Sequence, residues 1–295
     1  MWQIMPRRKG PMRIIFFIGT MAAQLLLGDS VRAQCVGRFT AVPGRGVAGV
    51  KGVVSCAVQW DPDGDGPTPP WMVFGGAFSI AGESRAQNVA AWDGTAWHAL
   101  GDGIVLGPNS GDLVSDLVVY NGQLYASRFP GTRVLRFDGT GWTAFSPAMF
   151  AERLCLFSNE LVGVTFTNAS AYDGVSVRPL SANWTRGNGF VMGMAANDGA
   201  LCAVWNDRVM MWNGTTWGVV TPPGSFSGYS AVAFNGQLVI GGYFTPSRNG
   251  PPSAVRWWDG AGWSSLGPNG FGSNGALGLI PTSFSVVNGA LVAFS

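Results

Sequence analysis

The chain has 295 residues, of which 47% are hydrophobic and only 12% charged, with 44 Gly, 18 Pro and 13 Trp. That balance excludes a disordered chain or a coiled coil and favours many short strands joined by tight turns. A formal charge of +2 gives no footing for nucleic acid, which needs a concentrated basic patch.

The N-terminus is read first, because it distorts the charge balance. Arg7, Arg8, Lys9 and Arg13 lead into an apolar run from Ile14 to Leu27, and Val31 and Ala33 stand where a signal peptidase reads small residues. Residues 1–33 therefore read as a secretory signal peptide and 34–295 as one mature domain, with Met12 an alternative start. The apolar run is shorter than the roughly 20 residues of a membrane-spanning helix, so no stable transmembrane anchor is expected after cleavage. The expected location is secreted, periplasmic or cell-envelope associated. Residues 1–33 hold five basic residues and one acid, which leaves the remainder at 13 basic and 15 acidic, a net charge of −2.

Four cysteines lie in the mature chain. Cys155 and Cys202 sit in apolar strands and read as buried free thiols, while Cys35 and Cys56 are the candidate disulfide.

From Val53 onward one pattern recurs. WDGTAW at Trp92–Trp97 returns as FDGTGW (137–142), YDGVSV (172–177), WNGTTW (212–217) and WDGAGW (258–263). Upstream of several of these stands an Asn-Gly pair, at Asn121, Asn235 and Asn288. It is the dipeptide a two-residue type I′ hairpin wants, since both central residues need positive φ. Each unit thus reads strand, Asn-Gly turn, strand, connection, strand, Asp-Gly turn, strand. The aligned turn residues 93, 138, 173, 213 and 259 are spaced by 45, 35, 40 and 46 positions. Four strands per repeat of about 40 residues is the signature of a β-propeller blade. The expected fold is all-β, a propeller of six blades. The last blade would be closed by strands from both termini, with Val36–Val42 pairing against the C-terminal hairpin; a ring of five is the alternative.

These units resemble the kelch-like, galactose-oxidase-central-domain-like propellers, and most closely the repeats of secreted bacterial proteins reading FNG, LYxGGxF, ARWDGxxWxxLG. The best matches are Val53–Gly101, with Gly75 and Gly76, and Ala231–Gly267, with Gly241 and Gly242. The resemblance implies that these glycines permit close approach and that Trp97, Trp142, Trp217 and Trp263 are inter-blade anchors. The middle units lack the Gly pair, and Val177 replaces the Trp, so the third blade is expected to be the least well packed. Trp97→Ala is expected to cost about 3–5 kcal/mol.

Candidate sites are few. Asp61, Asp63 and Asp65 match the opening of a calcium loop, but Pro69 and Met72 stand at its ninth and twelfth positions. Calcium is thus one reading and an acidic hairpin turn the other; no other cofactor is implied. His98, the only histidine, cannot build a multi-histidine metal site by itself. Trp71, Trp184, Trp205 and Trp257 fall outside the repeat columns and are the candidates for stacking on a ligand such as a sugar ring. Asn168, Asn183 and Asn213 open N-x-S/T sequons. Two acids and an Arg meeting in the central channel would point to a hydrolase or lyase instead. No spacing selects such a set, so the expected function is an exported, non-catalytic module that binds a protein partner, with a lectin-like glycan binder and a propeller enzyme as alternatives.

Overall fold

Tight turns set the lengths of the strands. In a computed structural model, Asn121 and Asn235 each adopt φ of 50°, followed by Gly122 at 76° and Gly236 at 74°, the paired positive values of a type I′ turn. The WDG motif closes a different turn. Asp93 Oδ1 accepts the backbone N–H groups of Thr95 (2.7 Å) and Ala96 (2.8 Å), and Asp138, Asp173, Asn213 and Asp259 do the same in their own units. An acceptor oxygen and a residue tolerant of positive φ are what such an Asx turn requires, so Asn213 serves as well as Asp.

The model describes residues 14–17, 49–109, 111–180, 184–185, 187–197, 199–245, 253–265, 283–287 and 290–294, and every regular element among them is a strand. Five antiparallel sheets follow in chain order, each with four strands side by side, the first carrying in addition the two-residue strand Ser84–Arg85. Their inner strands are Val50–Trp60, Leu113–Tyr120, Arg153–Phe157, Gly193–Ala196 and Ser225–Phe234. Their outer strands are Trp97–Ala99, Trp142–Ala144, Val177–Pro179, Trp217–Val219 and Trp263–Ser265. Ser283–Val287 and Ala290–Phe294 form a hairpin that begins a sixth sheet beside the fifth. The inner strand of each sheet packs against that of the next, which is the arrangement of a β-propeller.

Ile14–Phe17 joins the sixth sheet, pairing parallel to Leu291–Phe294. The strand added to the C-terminal hairpin therefore comes from within the apolar run read as a signal. The expected partner, Val36–Val42, lies outside the described residues, as does Cys35.

The core lies between sheets, as the isolated faces of small sheets require. Trp142 packs among Val73, Val89 and Leu100 of the first sheet and Leu117 and Phe137 of its own. Trp217, 2% exposed, donates its indole N–H to Leu180 O at 2.6 Å, and Trp263 donates to Val220 O at 2.5 Å. In both cases the acceptor ends the outer strand of the preceding sheet, so the motif's last Trp is a bolt driven backwards into its neighbour. Trp97 departs from this expectation. Its contacts are with Phe74, Trp92 and the Phe78, Ala81, Ala86 and Ala90 cluster of its own sheet. It is half-buried, and its packing partners belong to its own sheet.

The third unit also corrects the sequence reading. Val177 is joined by Tyr120, Tyr125, Phe145, Met149 and Tyr172, and four of these five are buried. Their rings meet edge to face, with Phe145 and Tyr172 centroids 4.9 Å apart. The seam without a tryptophan is filled by another aromatic set.

The glycine pairs act as the resemblance implied. A Cβ on Gly76 would strike Val53 O and one on Gly242 would strike Ser227 O. Both contacts sit at register shifts in which the inner strand bulges, between Val54 and Cys56 and between Gly228 and Ser230. The second sheet bulges at the same place, between Val114 and Asp116, without a Gly pair.

Candidate binding rim

Strand alternation sends the short Asn-Gly and Asp-Gly turns to one end of the sheets, together with the acidic connection 61–70 of the first sheet, and the connections between second and third strands and between sheets to the other. The tight-turn end is stitched across neighbours: Trp60 Nε1 donates to Gly122 O, and Asn197 Nδ2 to Gly236 O. At the opposite end, long connections leave apolar side chains in water, with Val105 67%, Phe150 56% and Phe190 42% exposed. Loops on a rigid scaffold are where recognition is ordinarily built.

Along the axis the inner strands are laced to one another. Ser55 Oγ and Cys56 Sγ both donate to Val114 O, the latter at 3.7 Å. Ser115 Oγ donates to Glu152 O at 2.7 Å, and Leu154 N donates to Asp116 Oδ2 at 3.0 Å. Arg153 donates from Nε to Val191 O (3.2 Å) and from Nη1 to Ser115 O (3.1 Å). Asp116, Glu152 and Arg153, two acids and a guanidinium, therefore meet on adjacent inner strands. Burial pushes the Asp116 carboxyl up to about 6, with the nearby Arg153 charge opposing that rise. Their recorded bonds run largely to backbone: Glu152 accepts from Phe166 N and Val191 N, and burial raises its pKa while those bonds lower it. The groups hold blade to blade. Only the packing of neighbouring inner strands places them together; Asp116 and Glu152 stand 36 positions apart in the chain.

The cysteines belong to the same inner region. Cys56 is a free thiol rather than half of a disulfide, and Cys155 and Cys202 are free thiols as expected. Burial raises all three, Cys202 to about 12, so they are inert thiols at neutral pH.

Between the third and fourth sheets, residues 187–191 form a strap across the loop-bearing end. Asn188 N donates to Asp207 Oδ1 at 3.0 Å, and Val191 N to Glu152 Oε2 at 3.0 Å. Phe190 leans back on Phe129 of the second sheet, with centroids 4.6 Å apart and planes at 77°. Beneath the strap Trp184 packs on Trp205 at 4.9 Å and on Trp217 at 4.7 Å. Arg208 Nη1 donates to Thr185 Oγ1 and Nη2 lies 3.3 Å from Asp207 Oδ2.

Two of the four tryptophans proposed for stacking are thus brought together, but not as open platforms. Trp205 is 0% exposed, and a Cβ on Gly187 would meet its ring at 2.5 Å. Trp184 is half-buried with two rings already against it. Trp71 stacks on His98 at 4.5 Å and 12° and meets Trp60 edge to face. Trp257 is half-buried against Phe234, Val239, Val255 and Leu291, where it joins the fifth and sixth sheets. Repeat columns mark only the positions that recur from unit to unit, so a tryptophan outside them can still be core.

In the acidic loop the carboxyl groups of Asp61 and Asp63 interact with each other. Asp61 Oδ1 accepts from Asp63 N, and Asp63 Oδ2 from Thr68 N, so both cap their own turn. Among the described residues no three His, Cys, Asp or Glu side chains are grouped to hold a metal ion. His98 Nε2 lies 2.6 Å from Asp93 Oδ2, and this bond is the largest influence holding Asp93 well below the usual carboxylate range. Asn168 and Asn213 are exposed, while Asn183 lies outside the described residues.

No family model matches this chain, and no curated protein sequence matches it. Solved structures do. The extracellular domain of a putative hybrid two-component system from B. thetaiotaomicron aligns with a TM-score of 0.50 at 10% identity, over 82% of this chain and 36% of that one. A chain of the mitotic checkpoint complex aligns at 0.45 and 14% identity, over 82% and 72% respectively. A chain of a nidogen/laminin complex aligns at 0.43 and 14% identity, over 70% and 76%. At such identities the likeness concerns architecture alone. The β-propeller fold itself rests on the five four-stranded sheets and the packing of their inner strands.

Proposed function

We propose that this chain is an exported, non-catalytic β-propeller that binds a macromolecular partner through the loop-bearing rim. The observation that carries the reading is the contrast between the two ends. One is closed by self-capped turns, while the other holds Phe190 exposed on a strap fixed by Asp207 and Glu152. Fixing a loop before binding lowers the ordering cost of association, which is how a rigid rim gains affinity. The axial acids support a scaffold role, because Asp116 and Glu152 each accept a backbone N–H from the neighbouring sheet's unit, Leu154 N and Val191 N. Export rests on the basic and apolar pattern of residues 1–33.

Peptide and glycan arrays probed with the full chain test the rim. Phe190→Asp is expected to abolish whatever signal the chain gives, whereas Val175→Asp, at an 85% exposed position on the tight-turn end, leaves it intact. The reverse pattern would place recognition on the other face. A phosphatase fused after residue 33 reports export directly, and an inactive fusion with normal expression removes that part of the reading.

A further inference from the structure

Turn chemistry divides the charge of the molecule between its two ends. An Asx turn needs an acceptor oxygen, so Asp93, Asp138, Asp173 and Asp259 recur at the tight-turn end. Asp61, Asp63 and Asp65 of the connection 61–70 join them. The arginines described there are Arg136 and Arg178, and Arg178 is already paired with Glu160 at 2.6 Å. At the loop-bearing end the balance reverses. Lys51, Arg85, Arg128 and Arg133 take part in none of the ion pairs among the described residues. The acids beside them are mostly engaged, since Asp112 and Glu152 are buried and Asp207 lies against Arg208. Glu83 and Asp102 alone are exposed there among the described residues.

Arg128 is the member of the basic set most firmly built into the rim. Its Nη1 donates to Val105 O at 2.7 Å and its Nε is enclosed, which leaves Nη2 as the donor a partner can reach. Burial lowers its pKa, and no acid offsets that effect. A guanidinium partly withdrawn from water without a counter-ion gains most from a carboxylate, which it meets with charge-assisted bonds. Apolar groups flank it. Val105, whose carbonyl holds the guanidinium, is 67% exposed, and the next residue along, Phe129, carries the 42% exposed Phe190 at 4.6 Å. Successive strand residues face opposite ways, so a segment crossing the rim of the second sheet meets the cation on one flank and the rings on the other. Arg133 repeats the association, paired across strands with Phe150, which is 56% exposed.

We propose that the partner of this rim is a protein whose docking segment is acidic and carries an apolar side chain, its carboxylates meeting Arg128 and Arg133 and its apolar group resting on Phe190 and Val105. The inference rests on the rim reading and names the partner's chemistry. The division of charge sets the orientation, because an acidic segment is repelled by the aspartate-bearing end and steered to the other. A polyanion such as heparin fits less well, since the unpaired cations are few and it has nothing to place on exposed Phe and Val side chains.

Fluorescence anisotropy with the full-length protein tests this, using short labelled peptides of Glu, Leu and Phe, their Gln counterparts, peptides of Glu and Ser, and labelled heparin. The peptides of Glu, Leu and Phe are expected to bind more tightly than the other two sets, with affinity that falls as salt rises. Arg128→Gln should weaken that binding about tenfold, the loss of one charge-assisted contact. Phe190→Ser should weaken it as well, while Arg178→Gln, at the opposite end, should bind like the parent. No binding of these peptides, equal binding of the Gln set, or unchanged affinity in a folded Arg128→Gln overturns the proposal. Heparin binding that exceeds the peptides and ignores Phe190→Ser overturns it too. If Arg128→Gln does not fold, Arg133→Gln and the Glu-against-Gln comparison decide. Where Glu and Gln peptides bind alike and Phe190→Ser abolishes both, the acidic partner falls and the rim reading stands; binding untouched by Phe190→Ser and Arg128→Gln removes the rim reading as well.

Discussion

The seam between the second and third sheets and the seam between the third and fourth solve the same packing problem with different residues. The later seam uses the repeat's own device: Trp217 reaches back to Leu180 O and is surrounded by Trp184 and Trp212. The earlier one has Val177 in that column and fills the space with Tyr120, Tyr125, Phe145 and Tyr172. Buried area and close packing are what neighbouring sheets require; a particular residue in a particular column is one way to supply them. Erosion of the motif therefore does not mean erosion of the core. The two seams also differ in polar content, since the later one holds the unpaired indole and guanidinium donors.

The comparison can be broken most decisively at one buried ring in each seam. Trp217→Ala and Phe145→Ala should each lower the unfolding free energy by about 3–5 kcal/mol in denaturant titration. If Phe145→Ala proved nearly neutral, the tyrosine-filled seam would be the loose one after all. Trp97→Ala should cost clearly less, about 1–2 kcal/mol from partial burial, because Trp97 bolts no preceding sheet among the described residues. A smaller effect comes from restoring the motif. Val177→Trp should destabilise by about 1–3 kcal/mol through overpacking, since the space is already filled; a gain in stability would show that the seam has an unfilled slot.

The pH response sharpens the contrast from the axial side. Burial raises Asp116 to about 6 in the folded chain, above its ordinary unfolded value of about 4. The folded state thus binds more protons between those values. Asp116's contribution is fully present below about pH 4 and is lost as pH rises through about 6, with a slope of at most about 1.4 kcal/mol per pH unit. Stability curves at pH 4, 5, 6 and 7 should show this fall in the parent and a flatter profile in Asp116→Asn. An unchanged slope in the variant would assign the titration to another group.

Much of the fold was legible beforehand because it is local. An Asn-Gly or Asp-Gly dipeptide determines its turn through its own φ preferences and side-chain oxygen, whatever surrounds it, and the spacing of such turns predicts four-stranded units. The binding rim was less legible. Trp184 and Trp205 stood out as tryptophans outside the columns, but their contact and the nearness of Arg208 depend on how the strap crosses the fourth sheet. Asp116, Glu152 and Arg153 carried no signal of their meeting, since neither charge pattern nor spacing records which inner-strand residues face one another.

The sequence by itself thus determined turn chemistry, strand number per repeat and the propeller class, all of which follow from interactions within a few residues. Tertiary structure alone decided which tryptophans are bolts and which are fillers. It also decided that Val177 needs no replacement and that Cys56 stays a free thiol. Those outcomes depend on the register and face of neighbouring sheets, where atoms 20 to 60 residues apart in the chain compete for the same space and the same hydrogen bonds.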